Sequence, residues 1–231
     1  MATLALLRHG QSEWNLTNRF TGWVDVDLST QGEAEAIAAG RMLRDAGVVP
    51  DIVHTSLQKR AIRTAELVLG ELGLTDLTPK RSWRLNERHY GALQGLDKIE
   101  TARRHGDEQV KIWRRSYSTR PPELSDDEWA TQRADPAHAG VPDEALPRAE
   151  SLADVVERMM PYWSESIVPD LDTGSVVLVV AHGNSLRALV MHLDRLSEDE
   201  VLELNIPTGI PLVYDLGADL ESLSSRYLDQ S

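Results

Sequence analysis

The 231-residue chain contains no cysteine. That excludes disulfides, thiolate nucleophiles and cysteine-ligated zinc or iron–sulfur centres, and it fits a reducing compartment. No uncharged apolar run approaches the ~20 residues needed to cross a bilayer. No basic segment precedes the short apolar stretch at the N-terminus, as a secretory leader would require. The expectation is a soluble, cytoplasmic protein. Positive charge is also in deficit: 24 Lys and Arg face 37 Asp and Glu, for a formal net charge of -13. Nucleic acid and anionic membranes are therefore unfavoured partners, whereas a small anion is not. The length suits one large domain with a sizeable core.

The scarce cations are not spread evenly. Lys80, Arg81, Arg84, Arg88, Lys98, Arg103, Arg104, Lys111, Arg114 and Arg115 crowd one stretch, while acids gather at Asp126-Asp127-Glu128 and Asp143-Glu144. A local positive pocket in an acidic protein marks an anion site; the alternative for any single arginine is a solvated helix face.

Hydrophobic patterning predicts an α/β fold: three layers, with a mostly parallel central sheet and helices on both faces. The run Leu4-Ala5-Leu6-Leu7 reads as a buried strand ending in Arg8-His9-Gly10. Thr30-Gln31-Gly32-Glu33 matches a capping box for a helix burying Ala36, Ala39, Gly40 and Leu43. Residues 50–56 read as a second strand. Gln58 to Leu72 reads as a helix with Arg60 in its first turn. Residues 88–150 are less regular and read as an insertion lying over the site, within a single domain spanning 1–231. From Ser151 a helix buries Leu152, Val155, Val156, Met159, Trp163 and Ile167, with a kink expected at Pro161. The continuous run Val176–Ala181 has the composition of a strand buried on both faces and ends in His182-Gly183-Asn184. Pro211–Tyr214 reads as one more strand.

Ligands of open α/β sheets sit outside the carboxyl ends of the strands. Two strands thus deliver His9 and His182 to one edge, each followed by glycine and each with arginine near. His54, His89, His105, His138 and His192 lack this context and read as satisfied core histidines. Zinc would compete for a histidine pair, but no compact ligand spacing is present and the arginines repel a cation. Asp25 and Asp27 lack further ligands at metal spacing. Phosphoryl transfer instead needs neutralised charge and an in-line nucleophile. His9 fits the nucleophile, Arg8 and Arg60 the clamp, and Glu87, beside the basic stretch, the proton shuttle.

Leu7-Arg8-His9-Gly10-Gln11-Ser12-Glu13-Trp14-Asn15, Phe20-Thr21-Gly22-Trp23, Leu85-Asn86-Glu87-Arg88-His89-Tyr90-Gly91, Trp113-Arg114-Arg115 and Ala181-His182-Gly183-Asn184-Ser185 together resemble the cofactor-dependent phosphoglycerate mutases of the histidine phosphatase superfamily. The resemblance covers Leu4 to Leu228. It implies reversible interconversion of 3- and 2-phosphoglycerate in glycolysis and gluconeogenesis, priming of His9 by 2,3-bisphosphoglycerate, no metal, and a homo-oligomer, dimer or tetramer. It implies that Arg8 and Arg60 clamp the moving phosphoryl group, that His182 stabilises it, and that Glu87 moves the proton. It places Ser12, Asn15, Thr21, Gly22, Arg88, His89, Tyr90, Lys98, Arg114, Arg115, Gly183 and Asn184 on the substrate. Ser12 matches the mutases, where the bisphosphoglycerate synthases carry Gly. Family members usually continue into a tail that covers the site, while this sequence stops at Asp229-Gln230-Ser231.

Two rivals follow from the same residues. A phosphatase of the superfamily would hydrolyse the phosphohistidine and needs no dedicated arginines for a second phosphate; Lys98, Arg114 and Arg115 favour the mutase. A non-catalytic phosphometabolite sensor would need no proton shuttle, and Glu87 argues against it.

Overall fold

Alternation along two neighbouring strands builds the core of this protein. In the computed structural model, which describes residues 2–228, strand β1 is Ala2–Arg8, followed by helices α1 (Glu13–Leu16) and α2 (Thr30–Asp45). Then come β2 (Ile52–Thr55), α3 (Lys59–Leu72) and the short β3 (Lys80–Arg81). Helices α4 (Lys98–His105), α5 (Asp107–Arg115) and α6 (Asp126–Ala134) precede α7 (Leu152–Tyr162) and α8 (Val168–Asp172). The chain continues through β4 (Val176–Ala181), α9 (Gly183–Leu193) and α10 (Glu198–Glu203) to β5 (Leu212–Leu216) and β6 (Ser222–Tyr227). The sequence end at Asp229-Gln230-Ser231, and with it any question of a covering tail, lies outside the described residues.

The six strands lie in the order β3-β2-β4-β1-β5-β6. The first four run parallel, β5 runs antiparallel to β1, and β6 runs antiparallel to β5. Leu4 and Leu6 of β1 join Val177 and Val179 of β4 on one face, packed on Leu152, Val155 and Met159 of α7 and Leu186 and Leu189 of α9. Ala5 and Leu7 join Leu178 and Val180 on the other, packed on Ala39 and Leu43 of α2 and Ala65 and Val68 of α3. This is the covered parallel sheet that the β-branched run in β4 predicts. No helix among the described residues is long and apolar enough to cross a membrane.

Three local readings change. Helix α2 is capped by Ser29, not Thr30: Ser29 is extended and its hydroxyl accepts from Gly32 N–H, while Thr30 is already helical. Adjacent hydroxyl residues can each cap, and backbone geometry selects the first. Pro161 lacks the N–H of an interior helix position, and the chain widens just after it into a π segment, Trp163–Ile167, before α8. Strand β6 has no apolar period in the sequence, because it is an exposed edge strand of mostly serine and charge. The stretch between β3 and α7 packs Leu93, Val110, Tyr90 and Trp113 around Phe20 from the loop after α1, a small core separate from the sheet.

Candidate active site

Because β1 and β4 are parallel neighbours with Arg8 paired to Ala181, their next residues, His9 and His182, emerge side by side. The ring centroids lie 4.9 Å apart, edge to face. Both rings are buried. The loop after β1 is held against the start of α2 by two glycines in close contact. A Cβ on Gly10 would overlap the Gly32 carbonyl, and one on Gly32 would overlap the Gln11 carbonyl.

His9 Nδ1 lies 2.6 Å from the Gly10 carbonyl. A carbonyl only accepts, so Nδ1 carries the proton and Nε2 keeps its lone pair. Arg60 Nε–H donates to that nitrogen at 3.3 Å. Burial, then Arg60 and Arg8, hold the His9 imidazolium well below the ordinary value of 6.5. The ring is therefore neutral at neutral pH, with its basic nitrogen beside a guanidinium. His182 is likewise held well below 6.5, by burial first and then by Arg60 and His9. Its Nε2 is 2.8 Å from Ser56 Oγ, and its Nδ1 has no hydrogen-bond partner among the described residues.

Glu87 lies in the loop that follows a short 3₁₀ turn, Trp83–Leu85. Its Oε1 accepts from Asn184 N–H and Nδ2–H, both at 3.0 Å, and from Arg88 N–H at 2.8 Å. The N-terminus of α9 thus fixes one oxygen. No protein hydrogen bond among the described residues reaches Oε2. That oxygen is 3.7 Å from where a Cβ on Gly183 would sit, and the same Cβ would be 3.6 Å from the Arg8 guanidinium. The loop's backbone is tied down separately. Glu87 O accepts from Trp23 Nε1 and from Arg158 Nη2, and Glu87 N–H donates to Gln58 Oε1. Arg158 is itself buried in an ion pair with Glu150 at 2.6 Å.

These groups open onto a cleft of about 170 Å³. Of the residues expected there, Arg8, His9, Asn15, Thr21, Gly22, Arg60, Glu87, Tyr90, Lys98, Arg114, Arg115, Gly183 and Asn184 line it. His182 lies behind, packed on His9. Ser12, Arg88 and His89 do not line the cleft. Ser12 is buried as the cap of α1, where its hydroxyl accepts from Asn15 N–H. Arg88 donates to the carbonyls of Trp113 and Arg114 and so braces the end of α5, with its guanidinium 4.5 Å from the Tyr90 ring centroid. His89 has both ring nitrogens engaged, by Gly91 N–H and Gln132, and packs on Trp23. All three residues lie outside the cleft lining and brace the segments that form it.

The sequence reading gives no site role to Arg19, Arg187 or Asn205, although Asn205-Ile206-Pro207-Thr208-Gly209 belongs to the resemblance; all three line the cleft. Arg187 stands three residues after Asn184 on α9 and donates to its side-chain oxygen at 3.1 Å; that helical spacing is a signal it offered. Seven cations (Arg8, Arg19, Arg60, Lys98, Arg114, Arg115 and Arg187) meet one carboxylate, Glu87, around the cleft. Burial and cationic neighbours lower Arg187 to about 10. Burial also lowers Arg60 to about 10, although Glu87 and Asp25 oppose it. Arg8 Nε and Thr21 Oγ1 are buried without a hydrogen-bond partner among the described residues. Such an excess of positive charge, with unmet donors, fits a polyanion that carries more than one phosphate or carboxylate. No group of three or more His, Asp or Glu able to hold a metal occurs among the described residues.

The histidine phosphatase superfamily (branch 1) matches residues 4–213. A 2,3-bisphosphoglycerate-dependent phosphoglycerate mutase of Thermobifida fusca is 59% identical over 231 residues, covering 99% of this chain and 94% of the relative. Proteins of the same description from Streptomyces avermitilis and Nitratidesulfovibrio vulgaris are each 58% identical over 228 residues, covering 98% and 99% of this chain and 90% and 91% of the relatives. Among solved structures, a mycobacterial glucosyl-3-phosphoglycerate phosphatase in complex with VO3 superposes with a TM-score of 0.74 at 25% identity, over 98% of this chain and 97% of that one. Bacillus stearothermophilus YhfR superposes at 0.70 and 24%, over 94% and 93%, a likeness of fold. The chain belongs to the histidine phosphatase superfamily and, within it, to the 2,3-bisphosphoglycerate-dependent phosphoglycerate mutases.

Proposed function

We propose that this protein interconverts 3-phosphoglycerate and 2-phosphoglycerate through a phosphohistidine at His9, in the cytoplasm and without a metal ion. The observation that carries the reading is the neutral Nε2 of His9, set among seven cations with a single carboxylate oxygen, Glu87 Oε2, open to the same cleft. When bound, 2,3-bisphosphoglycerate supplies the priming phosphoryl group. His9 Nε2 then holds that group, and Arg8 and Arg60 offset the charge on its oxygens. As the substrate hydroxyl attacks phosphorus, Glu87 takes its proton at Oε2; in the reverse sense it returns the proton to the leaving oxygen. His182, braced by Ser56, supports the equatorial oxygens. Lys98, Arg114, Arg115 and Arg187 hold the rest of the substrate. The arginines serve here as the electrophile that many phosphoryl-transfer enzymes obtain from magnesium.

Residues 88–150 serve as the cover of the site within one domain, since Tyr90, Lys98, Arg114 and Arg115 come from that stretch. A homo-oligomer, dimer or tetramer, completes the reading. It is supported by the half-exposed Leu223 on the edge strand β6.

The test is transfer of label from phosphoryl-labelled 2,3-bisphosphoglycerate to the protein. The expected adduct is acid-labile and base-stable, is absent in His9→Ala, and returns its label to monophosphoglycerates. Dialysis against a strong chelator should leave the rate unchanged. Vanadate, whose trigonal-bipyramidal adduct imitates the transferring group, should inhibit strongly. Mutase activity in pure His9→Ala, or loss on chelation with rescue by a metal, overturns the mechanism. Release of inorganic phosphate faster than isomerisation would assign the chain to the phosphatases instead.

A further inference from the structure

A second cleft of about 460 Å³ adjoins the active site and is walled by α4 and α5. The two clefts share Lys98, Arg114 and Arg115. The second adds Arg103 and Lys111, both exposed, against one acid, Asp107. None of these five cations lies in an ion pair among the described residues, although ten other lysines and arginines do. In a chain with 37 acids and 24 Lys and Arg, a continuous row of unpaired cations running out of the catalytic cleft needs a reason.

The mutase reading supplies a demand for it. Transfer from His9 breaks the P–N bond, forms a P–O bond to the free hydroxyl of the monophosphate and moves the hydroxyl proton to Glu87. The product in the cleft is a bisphosphate. To finish, the phosphate that was remote from His9 must reach Nε2, where its P–O bond breaks, a P–N bond forms and Glu87 returns the proton to the released oxygen. The two phosphates must therefore exchange places without the molecule escaping. A bisphosphate that lets go of Arg8 and Arg60 keeps its affinity only if other cations receive the departing phosphate.

We propose that the α4–α5 cleft is a second phosphate subsite, which holds one end of the bisphosphate on Arg103 and Lys111 while the shared Lys98, Arg114 and Arg115 keep the other end, so that the intermediate turns over inside the protein. The inference rests on the mutase reading. Arg103 and Lys111 touch no part of the catalytic cleft, so their loss affects retention and not phosphoryl transfer.

The test counts turnovers per priming event. Enzyme phosphorylated once at His9 is freed of bisphosphate and mixed with excess 3-phosphoglycerate, and product is measured until activity decays. In R103A/K111A, with unchanged circular dichroism, the number of turnovers per primed site should fall about fivefold or more, because cations that hold the departing phosphate set how fast the bisphosphate escapes. Added 2,3-bisphosphoglycerate should restore the steady rate. The rate of His9 phosphorylation by saturating bisphosphate should stay within about twofold of the parent. Equal turnovers per priming event in variant and parent overturn the proposal. So does a variant whose kcat/KM merely loses its salt dependence with turnovers unchanged, which would mean the cations only steer encounter. A parent that primes but never isomerises fails the mutase reading itself, and is distinguishable because the defect then precedes any substitution.

Discussion

At the residue scale, Glu87 divides its two oxygens between structure and chemistry. Oε1 takes three donors, two of them from Asn184, while Oε2 faces the cleft. Glutamine can keep its carbonyl oxygen in the three-donor position and present its amide where Oε2 stood. Glu87→Gln should therefore retain the loop and the bound substrate yet lack the shuttle. Its kcat should fall by roughly 10²–10⁴-fold, with KM changed by much less. Rapid-quench measurement of His9 phosphorylation beside steady-state turnover checks this, and parent-like kcat would reassign Glu87 to positioning. His9 carries a companion expectation. Because burial and two arginines depress its imidazolium, its ring in the free enzyme should show no protonation step at the ordinary value of 6.5 when the imidazole is followed by NMR across pH 5–8. A midpoint near 6.5 would contradict a neutral, pre-formed nucleophile.

At the element scale, the site depends on two strand ends and on how tightly α2 approaches the loop after β1. The strand ends were legible, because uninterrupted apolar runs stop abruptly at His-Gly and a parallel sheet aligns such ends. The clamp was legible too, because Arg60 lies in the first turn of a helix that starts at the same edge. What was not legible is which way a side chain turns once it arrives. Ser12, Arg88 and His89 sit inside the motifs, but their partners (Asn15, the α5 carbonyls, Gln132) are set by tertiary packing. Arg19 and Asn205 take no role in the sequence reading, because they reach the cleft from outside the two histidine motifs and only the tertiary fold brings them there. Gly32 illustrates the same limit, since it reads as one interior letter of a capping box and is in fact the contact that lets α2 seat on Gln11. Gly32→Ala should push α2 away from the His9 loop. The cost should be about 1–3 kcal/mol of stability, the usual range for overpacking, with kcat/KM falling more than tenfold while the circular dichroism stays native. Denaturant titration together with kinetics measures both. A variant as active and as stable as the parent would show that the glycine contact is not what places His9.

At the scale of the whole molecule, buried imidazoles make stability depend on pH. His9 and His182 are held well below 6.5, and His54 and His89 are lowered to about 4 each, all four chiefly by burial. His54 sits 2.9 Å from both Tyr162 Oη and Asp170 Oδ2, and Asp170 only partly offsets the burial penalty. The sign follows from linkage. Below the ordinary value of 6.5 the unfolded chain binds protons on these rings and the folded protein does not, so stability falls as pH drops, continuing toward about 4 for His54 and His89. Each ring contributes up to about 1.4 kcal/mol per pH unit in that interval. Between pH 6.5 and 5 ordinary carboxylates are still ionised in both states, so this window isolates the imidazoles. The free energy of unfolding, measured by denaturant at half-unit steps from pH 7.5 to 5, should be flat above 7 and then decline steeply. His54→Gln removes one of the four rings. Whatever its effect at pH 7.5, it should reduce the slope between 6.5 and 5 by about one proton's share. Saturating vanadate or phosphate should raise the whole curve by mass action, because only the folded cleft binds the anion. A parent curve that stays level down to pH 5, or a His54→Gln slope equal to the parent's, would mean that the buried rings take up protons in the folded state, and the neutral His9 on which the proposed chemistry rests would lose its electrostatic basis.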